Sequence, residues 1–394
     1  MDDGSPDLKT ATRLAHVGRA LAAEIGVVNT PVVRASTCTF DSLAEFDARV
    51  ADPDSGPYYG RRATPTMTAL EDALTAIEPE AAGTRIFPSG VAAIVTAILA
   101  VARTGDHLLM ADSVYEPTRN LASGLQKRMG IETEFYDPLV GAGIDKLLRD
   151  NTKVIFLESP GSLTFEIQDV PAITAIARER NVTTILDNTW ATPLLFPALA
   201  HGVDIVVQSL TKFVIGHSDA LLGSASATAK HWPRLKAMAL RLGQTAGPDD
   251  MFLALRGLRT LTLRMRQHGD TTLAVAQAVR AHPKVARVLC PGLDGDPGHD
   301  LWQRDFAGYS SIFSLVMKGG ERVGLAEIID QLDLFGIGFS FGGFESLVLP
   351  IRPETVRSAT DWAAEGPMLR IHCGLEDAVD LIADLTRGLD RYPS

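Results

Sequence analysis

Four short apolar runs, DHLLMAD, KVIFLES, TTILDN and DIVVQS, alternate with stretches of helical periodicity between residues 106 and 209, and this alternation most constrains what the chain can fold into. The runs lack the polar alternation of half-exposed strands, as expected where helices cover both faces of a parallel sheet. The helix-like DVPAITAIARER stands between two of them. The pattern predicts an α/β fold with a mostly parallel sheet and places ligand-binding groups at the polar residues closing each strand.

Outside this region the texture differs. The first sixty residues offer helical hints around Thr12 to Ala23 and a polar, turn-rich stretch from Asp52 to Gly60, an arm that must lean on something. A helix is expected to begin near Thr68, whose hydroxyl and Glu71 form a capping-box pattern, and a second to follow Gly90. After about Arg259 come a long helical stretch through Arg280, then VARVLC, SSIFSLVMKGG and LRIHC as strands. In SSIFSLVMKGG, alternation of Ile312, Ser314 and Val316 against Phe313, Leu315 and Met317 predicts a sheet with unequal faces. A final helix carries Val379, Ile382, Leu385 and Leu389 at helical spacing, completing a smaller α+β unit.

With 394 residues the chain should hold two domains, or about three small ones. Its 46% hydrophobic and 22% charged residues exclude disorder, and a net charge of −11 argues against nucleic acid as a partner. Three cysteines, Cys38, Cys290 and Cys373, are too few and too far apart for a disulfide framework or a Cys-rich metal site. The amino terminus MDDGSPDLKT carries acids where a secretory signal carries bases, and no apolar run approaches the ~18 residues of a membrane span. The cytoplasm is the expected compartment, with no membrane partner.

The strand ends hold the candidate chemistry. In DIVVQSLTKFVIGHSD, Lys212 follows an apolar strand and two hydroxyls, Ser209 and Thr211, which suit a phosphate while the amine meets an aldehyde cofactor. An exposed surface lysine is the plainer reading. Asp187 closes TTIL, followed by Asn188; a buried carboxylate there needs a cation such as a protonated pyridine nitrogen, unless it simply caps the next helix. FPSGV is a turn before a helix, where backbone amides at Gly90 and Val91 favour an anion. Tyr115 sits just past another strand end, where its ring could cover a flat cofactor. Tyr58, Tyr59, Arg61 and Arg62 occupy the polar arm, and Arg370 lies inside the strand LRIHC, where a guanidinium needs an anion: a substrate carboxylate or an internal partner. His217, Asp219, His372 and Cys373 match no metal motif, and no GxGxxG or Walker loop is present.

The segments YYGRRATPT, FPSG, VYEPT, FLESPGSLTFEIQDVPAI, LDNTWA, SLTKFVIGHSDA, RGLRTLTLRMRQH, FSFGGFESL and LRIHCGLED together resemble the pyridoxal-phosphate enzymes of cysteine and methionine metabolism, within which the bacterial cystathionine beta-lyase branch is most similar. The resemblance implies fold type I of the PLP-dependent transferases: an arm over residues 1–62 contacting a neighbouring subunit, a large cofactor domain over 63–258, and a smaller α+β domain over 259–394. It implies a homotetramer of two catalytic dimers. It assigns Lys212 to the cofactor aldehyde, Asp187 to the pyridine nitrogen, Tyr115 to the ring, and Gly90, Val91, Ser209 and Thr211 to the phosphate. Tyr59 and Arg61 would reach the neighbour's phosphate and substrate pocket, Arg370 would clamp the substrate carboxylate with Ser340 nearby, and Asn188 would orient substrate or cofactor.

The implied reaction is beta-elimination of an amino-acid thioether: Lys212 removes the alpha proton, the sulfur leaves the beta carbon with a proton from Lys212 or a tyrosine, and L-cystathionine yields L-homocysteine, pyruvate and ammonia in methionine biosynthesis. Two positions depart from that branch. Phe341 stands for a tryptophan in the substrate segment, and Ser89 for a cysteine. A cystathionine or methionine gamma-lyase, a gamma-replacement synthase and a broad cysteine-S-conjugate beta-lyase are the rival enzymes. A noncatalytic relative would be expected to lack Lys212, Asp187 or Arg370, and none is missing.

Overall fold

The computed structural model describes residues 8–364 and 366–393, so the start of the acidic amino terminus lies outside the described residues. Seven strands form the larger sheet: β1 (Gly83–Phe87), β2 (His107–Ala111), β3 (Glu132–Tyr136), β4 (Thr152–Glu158), β5 (Thr183–Asp187), β6 (Ile205–Gln208) and β7 (Gly223–Ala227). Their spatial order is β1-β7-β6-β5-β4-β2-β3. The pairs from β6 through β5, β4 and β2 to β3 are parallel, while β7 runs antiparallel to both β6 and β1. All four apolar runs are strands of the parallel part, and the segment between β4 and β5 forms the helix Val170–Glu179.

The smaller sheet comprises β8 (Val285–Leu289), β9 (Ile312–Met317), β10 (Phe335–Ile337), β11 (Ser346–Ile351) and β12 (Met368–His372), in the order β10-β11-β12-β9-β8. The long helix Leu261–Arg280 and the last helix, Ala378–Leu389, pack against each other, and the former also contacts β8 and β9. The expectation of unequal faces on β9 is corrected: all its residues are buried, because the strand is covered by the long helix and by the segment after β4, where Ser314 donates to the Leu163 carbonyl at 2.8 Å. In the last helix Leu381, Leu385 and Leu389 are buried, whereas Val379 faces solvent at 72% exposure.

The helix expected from Thr68 starts earlier, at Pro65, and runs to Ile77. Thr64 is its cap, accepting the Met67 amide at 3.2 Å, and proline at the first helical position fits because no intrahelical N–H is needed there. Glu71 does not return to a cap. It pairs with Arg85 at 3.1 Å and accepts the Ile86 amide, tying the helix to β1. The three cysteines are free, and among the described residues no helix is long and apolar enough to cross a membrane and no His/Cys/Asp/Glu cluster could hold a metal.

Candidate active site

A cavity of about 290 Å³ opens at the carboxyl ends of the parallel strands, where loops following β4, β5 and β6 meet the first turn after β1 and the strand β12 of the smaller sheet. This is where side chains converge in open α/β sheets, since every strand delivers its last residue to the same edge.

One end of the cavity suits an anion. The Ser89 hydroxyl caps the helix Gly90–Val101 by accepting the Ala92 amide at 3.2 Å, leaving Gly90 and Val91 on the cavity wall at the positive end of the helix dipole. A Cβ on Gly90 would lie 2.8 Å from the Ser209 Cβ, so glycine lets the two segments meet around the cradle. Ser209 lines the cavity, its amide held by the Thr189 hydroxyl at 2.8 Å. Thr211 also lines it, with its hydroxyl donated to the Leu222 carbonyl at 3.1 Å.

The floor carries two carboxylates. Asp187 ends β5 and Glu158 ends β4, paired in register across parallel strands. Asp187 Oδ1 accepts both the amide and the hydroxyl of Thr189, at 3.0 and 2.6 Å. Burial pushes Asp187 up, and the Thr189 bonds and the Lys212 ammonium pull it partly back. Glu158 is raised well above the ordinary glutamate range by burial and then by Asp187, with the Tyr115 amide bonded to its Oε2 at 2.8 Å.

Lys212 follows β6 and donates from Nζ to the Ser340 hydroxyl at 2.7 Å, with Nζ 5.1 Å from the centre of the Phe341 ring. Burial, then the nearby Arg370 cation, lowers its amine to about 8, opposed by Asp187. Arg370 is 9% exposed on β12 and donates to the Ser340 carbonyl at 3.2 Å; no carboxylate pairs with it among the described residues, and burial lowers it to about 10. Ser340, held by both cations, has a φ of 151°, a conformation L-residues rarely adopt. Tyr115 is 45% exposed, and its phenol is raised first by burial and then by Glu158, so it stays protonated.

Three expected residues do not line this cavity. Asn188 is fully buried and donates to the Phe196 carbonyl at 2.8 Å: along the extended chain Asp187 faces the cavity and its neighbour points to the opposite side, off the cavity wall. Within this chain Arg61 donates to the Leu240 carbonyl at 3.1 Å, and Tyr59 is 44% exposed, bridged through its backbone to Thr37.

Glu158, Thr189 and Arg264 also shape the site. Glu158 and Thr189 are polar residues at strand ends, the signal that singled out Asp187. Arg264 belongs to the long helix and inserts under the lysine loop, donating to the carbonyls of Phe213 at 2.6 Å, Val214 at 3.3 Å and Gly257 at 2.7 Å.

A helix amino terminus with a glycine cradle, a carboxylate at the far end and a lysine of lowered pKa between them fit a flat ring bearing phosphate, ring nitrogen and aldehyde. The chain belongs to the Cys/Met metabolism PLP-dependent enzyme family, which it matches over residues 11–390, and it is thus a PLP-dependent enzyme. It is 42% identical over 392 residues to cystathionine beta-lyase MetC of Escherichia coli (strain K12), covering 98% of this chain and 99% of that one. It is 40% identical to cystathionine beta-lyase of Salmonella typhimurium (strain LT2), with the same coverage. A crystal structure of cystathionine gamma synthase from Xanthomonas oryzae pv. oryzae in complex with cystathionine superposes with a TM-score of 0.89 at 30% identity, over 98% of this chain and 99% of that one.

Proposed function

We propose that the chain is a carbon–sulfur beta-lyase converting L-cystathionine to L-homocysteine, pyruvate and ammonia, a step of methionine biosynthesis. The observation that carries this reading is the junction at Ser340, where a buried guanidinium with no carboxylate partner among the described residues and an amine of lowered pKa hold one residue. An amino-acid substrate whose carboxylate meets Arg370 would present its alpha carbon towards Lys212.

Bound PLP supplies the electron sink that lets an alpha proton be removed at neutral pH. Gly90, Val91 and Ser209 would hold its phosphate and Asp187 its ring nitrogen, with Tyr115 against the ring. Arg370 binds the substrate carboxylate by a two-pronged contact. Lys212, neutral above about pH 8, takes the alpha proton onto Nζ. The carbon–sulfur bond at the beta carbon then breaks with its electron pair going to sulfur, and Lys212 Nζ or the Tyr115 phenol returns a proton to the thiolate. Addition of water and loss of ammonia leave pyruvate.

We assign residues 63–258 to the cofactor domain and 259–394 to the second domain, with 1–62 as an arm that brings Tyr59 and Arg61 to the site of a second copy in a tetramer of two catalytic dimers. The cytoplasm is the proposed compartment. The second reading, gamma-cleavage or gamma-replacement, is favoured by the likeness to the gamma synthase structure. Mass spectrometry of the products from L-cystathionine decides: pyruvate with homocysteine supports the proposal, and 2-oxobutyrate with cysteine overturns it. Lys212→Ala should abolish turnover.

A further inference from the structure

Asp112, just beyond β2, is 1% exposed, and although its amide bonds to Tyr136 on β3, its carboxylate reaches Arg119 of the following helix and residues of a connection in the smaller sheet. Its carboxylate accepts the backbone amides of Ser358 at 3.0 Å, Ala359 at 2.9 Å and Thr360 at 2.9 Å, together with the Thr360 hydroxyl at 2.9 Å, and pairs with Arg119 at 2.7 Å. The preceding residue, Arg357, pairs with Glu166 at 2.7 Å. The connection between β11 and β12 is thereby fastened at two points to loops that follow β2 and β4.

Beside these two clamps lies a recess of about 170 Å³ that shares Tyr115, Ser162, Phe339 and Arg370 with the main cavity. Val114, Pro117, Leu163, Leu349, Pro353 and Val356 give it apolar walls. The charges of Asp112 with Arg119, and of Arg357 with Glu166, neutralise each other in pairs, while Glu116, which also lines it, is exposed to solvent. Apolar cavities of ~150 Å³ hold a benzene ring, so the recess is of a size for a six-membered ring.

We propose that this recess gives the enzyme a second class of substrate beside L-cystathionine, thioether amino acids whose sulfur-linked arm is uncharged and apolar and enters the recess, and that Asp112 is a positioning residue whose hold on residues 358–360 keeps the recess wall in place. The inference rests on the reading of the chain as a thioether lyase. Arg370 at the shared mouth fixes the amino-acid end, and the arm then extends past Tyr115 against Val356.

The test uses holoenzyme and two amino acids that carry carbon in place of sulfur and cannot lose a thiol: norvaline, with a short arm, and 2-amino-5-phenylpentanoate, whose arm ends in a ring. Their dissociation constants are measured by calorimetry, and pyruvate release from S-benzyl-L-cysteine and L-cystathionine is measured separately. The phenyl compound should bind about tenfold or more tighter than norvaline, as burial of a ring implies. Asp112→Asn and Val356→Trp should each reduce that ratio at least about fivefold while cofactor absorbance is retained; the second variant stands if the first does not fold. Equal binding of the two compounds by the parent, or an unchanged ratio in a folded variant, overturns the proposal. Selective binding without pyruvate from any thioether would instead overturn the lyase reading and leave the recess in place.

Discussion

Glu158 and Asp187 end neighbouring parallel strands in register, which sets two carboxyl groups side by side in the cavity floor. Both are raised, so the folded cofactor-free chain holds more protons than the unfolded chain above the ordinary carboxylate range. Stability from these groups is therefore full below that range and falls as pH rises through their raised values. Glu158→Gln removes one of the two charges and keeps an acceptor for the Tyr115 amide. Urea unfolding of the cofactor-free enzyme between pH 5 and 8 should show a flatter loss of stability in the variant, and parallel curves would refute the coupling.

Lys212 should titrate far below a surface lysine. Its amine is charged below about pH 8 and neutral above, so labelling of the cofactor-free enzyme by trinitrobenzenesulfonate should have its midpoint there. Arg370→Gln removes a neighbouring cation and should move the midpoint upward. A midpoint near that of ordinary lysines would show that the cavity does not desolvate the amine.

Gly342 adopts a φ of 80°, and a Cβ there would come within 3.0 Å of the Phe213 amide nitrogen and 3.1 Å of the Lys212 carbonyl carbon. Gly342→Ala should destabilise the protein by ~1–3 kcal/mol and displace the lysine loop. Thermal unfolding and cofactor titration measure the two effects. Unaltered cofactor affinity in the variant would mean that the loop absorbs the methyl group elsewhere.

Arg370→Lys retains charge and loses the planar fork. Affinity for a short amino acid such as norvaline should fall about tenfold or more, with cofactor absorbance preserved. Retention of full affinity would remove Arg370 as the carboxylate clamp.

The parallel strands were readable because buried apolar runs of this length, broken by a helical segment, allow few other folds. The edge pair β1 and β7 was not: GTRIF and GSASA are rich in small or polar residues, which suit a strand only once the Trp232 ring and helix Gly90–Val101 are packed nearby. Lys212, Asp187, Tyr115 and Arg370 stand out in the sequence as polar groups at or inside strands, and all four line one cavity. Asn188 shares that local signal and faces away, since which side of an extended chain meets a cavity is set by register with β6, where its amide bonds to Val207. Arg264 has no local signal at all. It is one of several arginines in RGLRTLTLRMRQH, and the carbonyls it meets at Phe213 and Val214 lie 51 and 50 residues upstream.

That arginine has a consequence for inheritance. The loop bearing Lys212 is supplied by the large sheet, but its carbonyls are satisfied by a helix that also packs against the smaller sheet and the last helix. A chimaera joining residues 1–258 of this chain to the remainder of a relative would keep Gly90, Val91, Asp187, Ser209 and Lys212 and still leave buried carbonyls without donors, unless the incoming helix brings its own arginine to the same turn.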